Sequence, residues 1–371
     1  MRSNLKGDDA ILFNFTEFVF PFPLLDFPVV QAILVLQVYR ICRRMGGGRQ
    51  SAAVLCRKGA IMLRTYTLSP SLQSHGLHAL LKATSKQTPC TEKTKQHCLA
   101  YIDRMQQVNA QPFPNPEKLV GCPVTEDNSC GMQTFFWGGQ DKPRQKVLLY
   151  LHGGAYMNPP TSFHFKMLAN LARGTGSMAV FPVYPKIPDH SYADTFPKLL
   201  ALYDSLCAQY GPRQITLAGD SSGGGLALGF AYHLSDLGRP QPRQLLLICP
   251  WLDLHTDPED LDLYEKLDPS LSPWRLRIMG EMWAGGHSQL SNPYVSPMFG
   301  DPARVAPITM ITGTREVLYP DTMKFHRILD QKRLPHRTYV FEGMTHVFPA
   351  FPIPEARMAQ RLMIYLLDHS L

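Results

Sequence analysis

From about residue 117 onward the chain alternates between two hydrophobic periods. Short apolar runs of strand length occur at 147–151, 178–183, 215–218, 244–249, 308–311 and 337–341. They are too brief for helices and too continuously apolar for strands with one wet face. Between them lie segments with apolar residues at helical spacing: 163–172, 192–210, 224–237, 321–329 and 354–367. Upstream, 118–124 and 132–137 read as a hairpin around a turn at 125–128. Strand and helix alternate, which predicts an α/β architecture with a mostly parallel sheet covered on both faces.

Each run gives way to a short stretch of polar or small residues. His152-Gly153-Gly154-Ala155 comes after the first and Tyr184-Pro185 after the second. Gly219-Asp220-Ser221-Ser222-Gly223-Gly224 comes after the third, and Pro250-Trp251-Leu252-Asp253 after the fourth. Gly313-Thr314-Arg315-Glu316 and Gly343-Met344-Thr345-His346 come after the last two. In an open parallel sheet, ligands bind outside the carboxyl ends of the strands. Every polar candidate therefore falls on one rim.

The N-terminal part reads differently. Residues 1–100 hold 13 Lys/Arg against 5 Asp/Glu, whereas the remaining 271 hold 24 against 25. The net charge of +7 thus belongs to the N-terminal stretch, and the near-neutral body argues against nucleic acid as a partner. Residues 1–45 form an apolar segment whose core, 18–39, has spanning length and a basic flank. Three prolines and Asp26 interrupt it, so membrane contact through 18–39 competes with packing on the main domain. The expected location is cytoplasmic unless that segment holds the chain to a membrane. Residues 46–116 read as linker and short helices. The eight cysteines include no CxxC pair and no zinc-ligand spacing with histidine. Cys122 and Cys130 could face each other across the hairpin, with packed thiols the preferred reading.

Gly219-Asp220-Ser221-Ser222-Gly223 is a G-x-S-x-G run between an apolar strand and a small-residue helix. That context suits a nucleophile elbow, in which a serine occupies a strained turn tolerated only by small neighbours. A serine hydroxyl needs a base, and His346 at the last strand end is the candidate. Glu316, at the end of the preceding strand, is the preferred acid to hold the imidazole; Asp321, in a helix-start context, is the rival, and Asp253 ranks third. Gly153, Gly154, Ala155 and Ser222 are the expected oxyanion donors. His152 and Tyr184 are read as structural supports of that loop. The chemistry requires no cofactor, and no metal-ligand pattern is evident.

Together, His152-Gly153-Gly154, Gly219 to Gly224, Glu316-x-Leu318-x-x-Asp321 and Gly343-x-x-His346 resemble the hormone-sensitive-lipase-like branch of the α/β-hydrolases. The likeness covers roughly 117–371 and looks closest to the small-ester and acetyl esterases, on H-G-G-A-Y at 152–156 and G-T-x-x-x-L-Y-P-D at 313–321. It implies an α/β-hydrolase fold with a small helical cap, the cap drawn from 86–112 and an insertion at 256–289. It also implies a serine carboxylic-ester hydrolase acting on a small-molecule acyl ester, with Ser221, Glu316 and His346 as its triad. Two departures stand out: Ala155 replaces the family's third glycine, and Glu316 stands where Asp is usual. An acyltransferase, amidase or lactonase using the same residues, or a ligand-binding protein on the same scaffold, are the competing readings.

Overall fold

A computed structural model describes residues 61–371 apart from 68, 85–89, 141, 143 and 370. All of these belong to one unit, Ala53–Leu371. The segment 1–45, with its expected membrane contact at 18–39, lies outside the described residues. Among the described residues, no helix is long and apolar enough to cross a membrane.

Nine strands form one sheet among the described residues: β1 (Ile61–Tyr66), β2 (Val124–Asp127), β3 (Thr134–Trp137), β4 (Val147–Leu151), β5 (Met178–Pro182), β6 (Ile215–Asp220), β7 (Gln244–Ile248), β8 (Ile308–Arg315) and β9 (His336–Thr345). Their spatial order is β1-β9-β8-β7-β6-β4-β5-β3-β2. The seven strands from β1 to β5 in that order pair in parallel, and β3 runs antiparallel to β5 and β2. In β4, β5, β6 and β7 every residue is buried, because helices cover both faces.

Alternation along each strand divides the core. Leu149, Leu151, Leu217, Leu245 and Leu247 point into one layer. There they meet α2 (Glu92–Asn109), α5 (Tyr192–Tyr210), α6 (Ser222–Asp236), α8 (Pro273–Ala284) and α9 (Tyr319–Gln331). Leu148, Tyr150, Ala218, Leu246 and Ile248 point the other way, onto α4 (Ser162–Thr175) and α10 (Pro354–Asp368). Among the described residues, the other α-helices are α1 (Leu72–Thr84), α3 (Glu117–Val120) and α7 (Leu261–Leu267).

Three expectations are corrected. Residues 61–66 are a strand, not linker: β1 extends the sheet beside β9, with Tyr66 stacked on Phe341 at 4.6 Å between ring centroids. Residues 118–120 belong to the short helix α3, which ends at Gly121 with φ +73°, a left-handed residue that glycine adopts without strain. The hairpin's first strand therefore starts only at Val124, and the expected turn at 125–128 is strand through Asp127. Cys122 and Cys130 are both free thiols. The strands and helices expected from residue 147 onward agree to within a few residues, with β8 and β9 each longer by four at their carboxyl ends.

Candidate active site

Ser221 lies between β6 and α6 with φ +53° and ψ −123°, a conformation costly for any side chain. Its surroundings enforce it. The N–H donates to Ile248 O at 2.9 Å, and the carbonyl accepts from Trp251 N at 2.9 Å and Gly224 N at 3.1 Å. The turn closes only because the residues two positions before and after Ser221, Gly219 and Gly223, lack side chains. A Cβ on Gly219 would lie 2.3 Å from Gly223 O, and one on Gly223 would lie 2.0 Å from Leu151 O.

The Ser221 hydroxyl meets His346 Nε2 at 2.9 Å. Across the ring, His346 Nδ1 is hydrogen-bonded to Glu316 Oε2. A carboxylate can only accept, so Nδ1 carries the proton and Nε2 is left to accept from the serine. Glu316 is fully buried; its other oxygen accepts from the Thr312 hydroxyl at 2.5 Å and Gly313 N–H at 3.3 Å. Burial opposes a charge on His346, but the Glu316 carboxylate, then Asp268 and Asp220, outweigh it and hold the ring above its ordinary pKa. Three distant segments thus meet at the ends of β6, β8 and β9.

Asp321 is placed elsewhere. It sits in the first turn of α9, where burial and then the neighbouring Asp253 push its carboxyl up to about 7. Asp253 accepts from His255, both its ring Nδ1 at 2.6 Å and its backbone N–H at 2.9 Å.

The loop after β4 supplies the amides. Ala155 and Tyr156 have φ of +53° and +59°. Among the described residues no acceptor takes the N–H of Gly154 or Ala155, and the Ser222 N–H is in the unbonded first turn of α6. Gly153 departs from expectation, since its N–H donates to Asp220 Oδ1 at 2.9 Å. It anchors the loop and is not one of the open donors.

Asp220 is the residue that sequence reasoning passed over. It is the x of G-x-S-x-G, a position the motif leaves open. Besides Gly153, it accepts from the Tyr150 hydroxyl at 2.7 Å and His164 Nε2 at 3.3 Å. His164 Nδ1 accepts from Thr161 N–H at the start of α4, so the proton is on Nε2, facing Asp220. Burial would raise the Asp220 carboxyl, but His164, Tyr150 and Gly153 hold it down to about 2.

His152 and Tyr184, read from the sequence as supports of this loop, contact each other beside it. Tyr184 donates its hydroxyl to His152 O at 2.6 Å, and the two rings stack at 4.6 Å. Burial, then nearby Lys186 and His164, drive the His152 pKa well down, so the ring is neutral. The Cys249 thiol, Glu316 and His346 place ligand-type atoms within 4.8 Å of one another. Those atoms already engage each other and their loop: His346 bonds Glu316, and Cys249 Sγ accepts from Val347 N–H at 3.3 Å.

A family model described as alpha/beta hydrolase fold matches residues 148–350, more than half the chain. The chain belongs to the α/β-hydrolase fold family. Within it, the chain is 30% identical to an acetyl-hydrolase of Streptomyces hygroscopicus over 65% of its length and 81% of that protein. It is 29% identical to an esterase of Acinetobacter venetianus, over 58% and 72% of the two chains. Its structure matches that of an esterase from the bacterial hormone-sensitive lipase family with a TM-score of 0.68 at 23% identity, covering 81% of this chain and 99% of the other. The expected α/β-hydrolase fold agrees with these matches, and the expected likeness to esterases agrees with the acetyl-hydrolase and esterase relatives.

Proposed function

We propose that this α/β-hydrolase is a serine carboxylic-ester hydrolase that cleaves small, acetyl-like esters through an acyl-enzyme intermediate. The observation that carries the reading is the unbroken relay from Ser221 Oγ through the His346 ring to Glu316. His346 Nε2 takes the serine proton as Oγ attacks the ester carbonyl. Glu316 holds the ring in the productive tautomer and stabilises the imidazolium. The N–H groups of Gly154, Ala155 and Ser222 receive the oxyanion. The imidazolium returns its proton to the departing alkoxide. Water, activated by the same ring, then releases the acid.

Preference for small acyl groups is supported by the acetyl-hydrolase and esterase relatives. We assign α2 and the segment 256–289 as the cap that selects substrate. Cys98, Ile102 and Met105 of α2 share a core with Leu276, Met279 and Trp283. Asn109 donates to Met157 O at 2.7 Å, and Tyr101 to Asn158, both on the loop that begins at His152.

The test is hydrolysis of p-nitrophenyl acetate together with fluorophosphonate labelling. Ser221→Ala should lower kcat by roughly five to six orders of magnitude and abolish labelling. A wild-type protein that neither labels nor hydrolyses would overturn the reading.

A further inference from the structure

Between α7 and α8 the chain turns around the side chain of Asp268, which is 1% exposed. Its Oδ1 accepts from the N–H groups of Ser270 at 2.8 Å and Leu271 at 2.9 Å, and from the Ser270 hydroxyl at 3.0 Å. Its Oδ2 reaches a different part of the fold and accepts from Val317 N–H at 2.9 Å. Val317 is the residue directly after Glu316. A carboxylate carried by the insertion therefore grips the backbone next to the acid of the relay.

These four bonds are each donated to Asp268, so they suit the ionised form, and a proton on either engaged oxygen would set a donor against a donor. Burial pushes its pKa up, and the nearby His346 ring pulls against that. Among the described residues, four titratable groups stand near the ring. Glu316 comes from the end of β8, Asp268 from the α7–α8 connection, Asp220 from the end of β6 and Cys249 from the residue after β7. Asp268 is the one that does not belong to a strand end.

We propose that Asp268 is a positioning residue of this site: it fixes the amide beside Glu316 and places a second negative charge near His346, coupling the insertion 256–289 to the base. The proposal rests on the triad reading of Ser221, His346 and Glu316. Its consequence is electrostatic. As Ser221 gives up its proton the ring becomes cationic, and a fixed anion nearby favours that state.

The experiment is the pH dependence of kcat/KM for p-nitrophenyl acetate in wild type, Asp268→Asn and Asp268→Glu, with melting temperature alongside. The wild-type acid limb should fall above the ordinary histidine value of 6.5, since the neighbouring carboxylates raise His346. Asp268→Asn should shift that limb to lower pH by about half a unit or more. The plateau kcat should fall roughly three- to tenfold, the rate equivalent of half to one pKa unit, with KM little changed. Asp268→Glu, which keeps the charge, should leave the limb near the wild-type position. Partial misfolding scales such a profile without moving it. Should Asp268→Asn yield no folded protein, Asp268→Ser removes the same charge while offering a short acceptor to the turn, and must move the limb likewise. A limb that stays put in Asp268→Asn or Asp268→Ser, or moves equally in Asp268→Glu, overturns the proposal. Activity surviving in Ser221→Ala would instead sink the triad reading itself.

Discussion

Replacing Glu316 by glutamine tests the acid of the relay at constant volume. The carboxylate accepts on both sides: from the Thr312 hydroxyl and Gly313 N–H on one oxygen, and from His346 Nδ1–H on the other. An amide can accept on one side only. If its oxygen stays with Thr312 and Gly313, its NH2 faces Nδ1 and forces the ring proton onto Nε2, where it blocks transfer from Ser221. If the amide flips, its NH2 opposes the buried Gly313 N–H, and the ring keeps its tautomer but loses the countercharge. Loss of a triad carboxylate lowers turnover by roughly 10⁴, which is about 5 kcal/mol of barrier. The assay is kcat on p-nitrophenyl acetate, with Ser221→Ala as the floor and Asp321→Asn as the control. Asp321→Asn should stay within a few-fold of wild type, because Asp321 lies in the first turn of α9 beside Asp253. Glu316→Gln within tenfold of wild type, or Asp321→Asn losing as much as Glu316→Gln, would refute the assignment.

Two further outcomes concern the loop that carries the open amides. In Gly153→Ala the new Cβ would sit 2.2 Å from Asp220 Oδ2, so the carboxylate must move and its bond to the loop breaks. The variant should lose about 3 kcal/mol of stability by urea titration and on the order of a hundredfold in kcat; near-normal values of both would show that Asp220 does not hold the loop. Asp220 also makes an acid-stability prediction. Its folded pKa, about 2, lies below the ordinary 3.8, so its contribution is complete above 3.8 and fades as pH falls toward 2. The stability gap between wild type and Asp220→Asn should accordingly narrow by about 1 kcal/mol between pH 5 and pH 3, and a gap that widened would contradict the sign.

The alternating apolar runs suffice to predict a parallel sheet with covered faces, because a strand buried on both sides can hold few polar residues. They also place Ser221, Glu316 and His346 on one rim, since parallel strands end on the same side. G-x-S-x-G implies the elbow, because close backbone contacts at Gly219 and Gly223 leave no room for a Cβ. Glu316 is preferred to Asp321 already from its place at a strand end, and the fold adds the contact itself, with Glu316 on the ring and Asp321 in the first turn of α9. Other features were decided only by tertiary contact. Gly153 looked equivalent to its neighbours until Asp220 claimed its N–H. Asp268-Pro269-Ser270 signals a local turn, but not the bond from Asp268 to Val317, 49 residues away. Strand β1 is legible only in the folded chain, because its six residues gain a partner only when β9 lies beside them. Periodicity reports what each segment buries, while partner identity depends on the closure of long loops, and that information resides in the folded chain.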